Sequence, residues 1–163
     1  MIKSISARQI LGAAAVVSLA AVGFALWTQY ALGMNPCPWC ILQRVICIAI
    51  ALAALPGALL KQRAAQIVSA LFVAALALAG AAAAAWQHFV AAASPSCDLT
   101  LADRIVAGLG LEAALPQVFS PQASCADAAV RLLGISYDFW TLALFILLGA
   151  SAAAALWSRP DRA

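Results

Sequence analysis

Charge is scarce in this sequence: 9% of its 163 residues are Asp, Glu, Lys or Arg, against about a quarter in soluble domains. With so few ionic groups the chain cannot clothe a water-facing globular surface. Nine Lys and Arg against six Asp and Glu leave a net charge of +3, too little for a nucleic-acid footprint. Histidine occurs once, and C-x-x-C-H, glycine-rich phosphate loops and dinucleotide fingerprints are missing, so haem, flavin and nucleotide readings have no residues to rest on. Internal repeats and low-complexity linkers are lacking too, and the chain reads as one integral membrane domain over 1–163.

Apolar chain fills the space that charge leaves. Hydrophobic residues make up 66% of the sequence, and four runs, about 10–30, 41–60, 64–89 and 137–157, are long enough to cross roughly 30 Å of hydrocarbon at about 1.5 Å per residue. The expectation is an all-α membrane protein, a four-transmembrane-helix bundle with a long loop, about 90–136, between helices 3 and 4. Ala21-Val22-Gly23 offers small residues at a cleavage-like spacing, but the apolar run continues past it, so it reads as an uncleaved span. Lys3, Arg8, Lys61, Arg63, Arg159 and Arg162 fall on one side of such a bundle, which predicts cytoplasmic termini and outward loops at about 31–40 and 90–136. Trp27, Trp86, Trp140 and Trp157 fall near run ends, as interfacial anchors do. Pro56 is expected to kink or end helix 2, and Gly80 with the five alanines after it to give helix 3 a smooth packing face.

Four of the five cysteines, Cys37, Cys40, Cys97 and Cys125, fall on the outward side, where disulfides form and persist. Three pairings are open to them, with the C-x-x-C of Cys37 and Cys40 the first guess and Cys97 with Cys125 what it leaves. A C-x-x-C at a helix start gains thiolate character from the free N–H groups there, and Pro36, Pro38 and Trp39 stiffen this one. A structural zinc and a pair of inert disulfides compete with this reading. The doubled C-x-x-C of common four-cysteine zinc sites is lacking, however, and a short-loop disulfide is a poor staple. Arg44, four residues after Cys40, shares its helical face about 6 Å deeper, where it either anchors helix 2 by snorkelling or serves thiol chemistry and a lipid-soluble acceptor. A membrane quinone is the economical acceptor, with His88 of "WQHFV" at similar depth as a second donor or proton relay. Gln43 and Gln87 are polar neighbours without an assigned direction, and Cys47 reads as packing. In the long loop, Leu99, Leu101, Ile105, Val106 and Leu109 interleave with Asp98, Asp103 and Arg104 as in a short interfacial helix, with "LPQVF" against the membrane.

"CPWCILQR", "WQHF", "SPSCD", "PQVF" and "SCA", set on four spans, resemble the disulfide bond formation protein B (DsbB) family, quinone-dependent thiol oxidases of the bacterial inner membrane. The resemblance implies a first redox pair at Cys37 and Cys40, a second at Cys97 and Cys125, and a quinone contact at Arg44 with His88 nearby. It implies a periplasmic thioredoxin-fold partner, DsbA-like, that attacks at Cys97, exchange from Cys125 to Cys37, and a Cys40 thiolate released toward ubiquinone or menaquinone. A non-catalytic scaffold and a vitamin K epoxide reductase-like enzyme are the competing functional readings.

Overall fold

A computed structural model describes residues 6–93 and 100–158. Lys3, Arg159, Arg162 and the segment with Cys97, Asp98 and Leu99 lie outside the described residues. Four helices are long and apolar enough to span a membrane: α1 (Ala7–Leu32), α2 (Pro38–Leu59), α3 (Arg63–Trp86, carried on to Ala91 by a π-helical turn) and α7 (Tyr137–Trp157). Between α3 and α7 come α4 (Leu101–Gly108), α5 (Leu111–Ala114), α6 (Pro116–Phe119) and a two-stranded hairpin of β1 (Arg131–Leu132) and β2 (Ile135–Ser136).

Caps, more than the apolar runs themselves, fix the helix ends. Ser6 and Gln9 form a capping box that starts α1 three residues before its apolar run, and Gly33, at φ 66°, ends it in the left-handed conformation that glycine adopts without a Cβ penalty. Cys37 is the N-cap of α2 and Pro38 its first residue, so the proline's missing N–H costs nothing there. Pro56 does not stop α2 at once: the helix runs one further turn to Leu59, where Leu60 N–H still reaches the Pro56 carbonyl.

The four spans form a closed ring in which α1 packs on α2, α2 on α3, α3 on α7, and α7 back on α1. Their shared core holds Leu11, Ile50, Val73, Phe145 and Leu148 among many alanines. At Gly80 the Phe145 ring lies where a Cβ would be, so the smooth face expected of α3 is used to bring α7 close. Val16, Leu52, Phe72, Leu78 and Leu147 point outward, the arrangement of a bundle whose solvent is hydrocarbon. The four tryptophans expected as anchors are all exposed, while Trp39 is buried and tilts against Trp86.

A second core caps the loop end of the bundle. Ala102 and Val106 of α4 pack against Trp39 and Ile41 of α2, joined by Phe119 and Ala128. This corrects two details of the interfacial reading: α4 is amphipathic as expected, but Val106 faces inward while Leu101, Ile105 and Leu109 face out, and Phe119 of "LPQVF" is buried. The hairpin was not foreseen. Its two-residue turn has Leu133 at φ 54° and Gly134 at φ 81°, the pair of positive angles that matches strand twist, but Leu-Gly lacks the usual Asn-Gly signal.

A candidate dithiol site beside an apolar cavity

The N-terminal turn of α2 gathers sulfur. Cys37 Sγ accepts the N–H of Cys40 at 3.4 Å, and the Cys37 and Cys40 sulfurs lie 2.9 Å apart as free thiols. From the loop, Cys125 packs into the same buried cluster as Cys37 and Trp39. Cys37 therefore has a cysteine from its own turn and one from the loop beside it, and a first-turn amide of α2 points at it, as expected of a thiol placed at a helix N-terminus. Cys37 is fully buried. Its hydrogen bond to Cys125, a second to Cys40, and burial hold it protonated well above the usual thiol range. At the receiving end of the Cys37 hydrogen bond, Cys125 is lowered below that range, although burial works against it. Cys97, the expected partner of Cys125, lies outside the described residues.

Cys40 faces a cavity of about 380 Å³ enclosed by α1, α2, α7 and the hairpin. Most of its lining is apolar, with Ala21, Val22, Leu132 and Phe145 among the contributors, and Cys40, Arg44 and Cys47 stand along one side of it. Arg44 is 6% exposed and does not reach out to water. Its Nη1 donates to Gln29 Oε1 at 2.8 Å and to the Val118 carbonyl at 3.0 Å, and Nη2 lies 3.5 Å from the Ala25 carbonyl. Nη1 thus spends both its protons on α1 and the loop, whereas Nε has no acceptor among the described residues. The same loop is held by Gln122 and Ala123 N–H on the Pro36 carbonyl and by Tyr30 Oη on the Gln117 carbonyl.

Across the cavity the two glutamines acquire directions. Gln43 donates to Gln87 Oε1 at 2.8 Å, and Gln87 Nε2 donates to Cys40 Sγ at 3.2 Å and to Asp138 Oδ1 at 2.7 Å. The sequence reading missed Asp138. An acidic side chain at the head of an apolar span, in "SYDFW", was the signal that could have found it. His88 does not line the cavity. Its Nδ1 lies 3.3 Å from Asp138 Oδ2, the ring packs on Phe139, and it reaches the site through the carboxylate. Cys47 is buried along the cavity side, seven residues below Cys40.

Residues 7–155 match the family model described as disulfide bond formation protein DsbB. Over 133 residues the chain is 38% identical to disulfide bond formation protein B 1 of Pseudomonas savastanoi pv. phaseolicola, covering 81% of this chain and 79% of that protein. Disulfide bond formation protein B of Pseudomonas syringae pv. tomato is 37% identical over the same shares. That of Herminiimonas arsenicoxydans is 33% identical over 145 residues, 88% of this chain and 90% of its own. A match running from the first turn of α1 almost to the end of α7 leaves no span unaccounted for, and the chain belongs to the DsbB family of disulfide bond formation proteins.

Proposed function

We propose that this member of a disulfide-forming membrane family is a dithiol oxidase that reoxidises a periplasmic, DsbA-like thioredoxin-fold protein and passes the electron pair to ubiquinone or menaquinone. The termini are cytoplasmic, and the α1–α2 turn and the long loop face the periplasm. One observation carries the reading: Cys37 touches both Cys40 and Cys125, and Cys40 opens onto an apolar cavity that Arg44 also lines.

The cavity suits a quinone head. Its volume falls in the range of small-molecule sites, about 300–1,000 Å³, and its few polar groups can orient a ring bearing carbonyl oxygens. Bound there, a quinone would supply the oxidising power, accepting two electrons and two protons per disulfide made. The chain's own residues do the rest. The partner's thiolate attacks Cys97 of a Cys97–Cys125 disulfide and releases the Cys125 thiolate, which attacks Cys37 of the Cys37–Cys40 disulfide and frees Cys40 as a thiolate; the partner's second thiol then closes the partner's own disulfide and releases Cys97, which re-forms its bond to Cys125 and leaves Cys37 as a thiol. Arg44 favours that anion through its charge, which acts strongly in a wall with few other dipoles, and its remaining N–H groups are available to a carbonyl oxygen. Gln87 donates to the same sulfur and fixes its direction.

Purified protein, a reduced thioredoxin-fold partner and a short-chain quinone followed by absorbance test the reading. Quinone reduction should match disulfides formed one for one, and Cys40→Ser should abolish it. Full turnover in Cys40→Ser would remove the electron exit, and intact partner oxidation in Cys97→Ser would remove the entry.

A further inference from the structure

The electron path leaves one buried ionisable group without a task. Asp138 heads the fourth span, is 4% exposed, and forms part of the cavity wall. Three side chains converge on it: Gln87 Nε2 on Oδ1 at 2.7 Å, and Ser136 Oγ at 3.2 Å and His88 Nδ1 at 3.3 Å on Oδ2. With its proton on Nδ1, His88 holds that proton against Oδ2 and can pass it to Asp138. Ionisable side chains buried in the wall of a membrane bundle are expensive even at the head of a span, and they commonly mark ion and proton routes. This one has a route. Its inner side meets the cavity, and its outer partner, His88, is 31% exposed.

Arg44, Cys40, Cys47 and Tyr137 are the other ionisable groups around the cavity. Arg44 keeps its proton in proteins. Cys40, joined to Asp138 through Gln87, is the electron donor, and Tyr137 is the neighbour of Asp138 on its own helix. Gln87 bonds sulfur and carboxylate at once, so it is a positioning residue: an amide fixes the geometry but does not pass protons on.

We propose that Asp138, backed by His88, is the proton donor of the cavity, delivering to the bound quinone the one proton that the Cys40 thiolate does not bring. The inference rests on the thiol-to-quinone reading above. Forming one S–S bond from the Cys40 thiolate and the Cys37 thiol releases two electrons and one proton. Reducing a quinone to hydroquinone takes two electrons and two protons. The Cys37 thiol gives the first proton, Asp138 gives the second, and His88 returns a proton to Asp138 from the exposed side of its ring.

Asp138→Asn in the purified full-length protein is the test, with three readouts. Quinone reduction should fall about 10²-fold, the scale of a lost general acid. Binding of the same quinone, read from quenching of tryptophan fluorescence with Trp140 in the cavity wall, should change far less than turnover. Without quinone, the infrared difference spectrum between the dithiol and chemically oxidised protein should contain a carboxyl band that Asp138→Asn removes. Asp138→Glu should restore the rate, which keeps the test decisive should the Asn variant fold poorly. His88→Asn should slow the same step about tenfold, and added imidazole should recover it. A wild-type rate in Asp138→Asn, a loss explained wholly by affinity, or no carboxyl band in the wild type would overturn the proposal. Wild-type protein that neither binds nor reduces quinone would instead sink the thiol-to-quinone reading, a separate outcome.

Discussion

At the loop end of the bundle, Gln29, Gln43, Arg44, Gln87 and Asp138 are all buried beside an open cavity; side chain bonds to side chain from Arg44 to Gln29 and from Gln43 through Gln87 to Asp138, and Arg44 also holds the Val118 and Ala25 carbonyls. At the opposite end Arg8, Arg63 and Ser69 close on backbone, while the buried Gln66 amide has no partner among the described residues. Arg8 Nε donates to the Ala58 carbonyl at the end of α2, Arg63 donates to the Ala155 and Leu156 carbonyls at the end of α7, and Ser69 Oγ accepts the Gly57 N–H. Cations on the last carbonyls of a helix neutralise its dipole and finish its hydrogen bonding, so such contacts are complete in themselves. A buried network beside empty volume keeps donors facing that volume. The difference separates a site from a set of fasteners without reference to the cysteines at all.

The comparison breaks first, if anywhere, at Arg44. Arg44→Met removes a charge and leaves Gln29 Oε1 and the Val118 carbonyl without their donor, so it acts on cavity and loop together. Losing charged hydrogen bonds of this kind costs about 1.5–3 kcal/mol each. Quinone affinity should drop by at least about tenfold, since about 1.4 kcal/mol is a factor of ten in binding, and the loop should become more open to proteolysis. Arg44→Lys should recover part of the affinity and little of the loop protection, because one ammonium cannot reproduce the guanidinium fork. Affinity lost with the loop fully protected would mean that the two are not joined through this side chain.

Gly57→Ala probes the fastener end. A Cβ there would sit 2.5 Å from Leu11 Cδ1 and 2.7 Å from Ser69 Cβ, so α1 and α3 must both give way. Overpacking of this order costs about 1–3 kcal/mol, and the unfolding midpoint in detergent should fall accordingly. Turnover measured well below that midpoint should stay near wild type. A matching fall in quinone affinity would show that the ends are mechanically coupled.

A pH experiment sharpens the loop end from within. Cys37 is held protonated by its hydrogen bonds to Cys125 and Cys40 and by burial, whereas the Cys37 thiol lowers Cys125. Raising the pH of fully reduced protein should therefore form thiolate at Cys125 first, and a small alkylating reagent should modify Cys125 several-fold faster than Cys37 below the ordinary thiol range. Cys37→Ala removes the donor, so Cys125 modification should shift toward higher pH, as mass spectrometry of the alkylated peptides would show. Equal rates in the wild type would contradict the contact among the three sulfurs.

Much of this architecture could be read from sequence because bilayer length and helical pitch are strict. Runs of about twenty apolar residues became spans, and the i, i+4 spacing placed Cys40 and Arg44 on one cavity wall. Span ends were less legible: Ser6, Cys37 and Gly33 set them through caps, which apolar periodicity does not register. The inward face of α4 was misplaced because Ala102, too small to stand out, marks it with Val106. Asp138, Gln29 and the Val118 carbonyl could not be found by spacing, since they come from other elements or from backbone and meet Gln87 and Arg44 only in the folded bundle. His88 was placed at the right depth, but its contact with the cavity runs through a carboxylate that the reading had not singled out.

Ser69→Ala should have the smallest effect and makes the most selective control. Pro56 removes one donor from the last turns of α2, and the next N–H, that of Gly57, is held across the helix interface by Ser69 Oγ at 2.9 Å. Alanine keeps the Cβ and the packing but leaves a buried N–H without its interhelical acceptor. The expected cost is about 0.5–1.5 kcal/mol, smaller than that of Gly57→Ala because nothing is forced apart. Because the bond joins α2 to α3 at the far end from the cavity, the loss should appear in the unfolding midpoint alone. Cysteine alkylation, quinone affinity and the pH profile should match wild type, and movement of any of them would show that a fastener at one end of α2 sets the geometry of the thiols at the other.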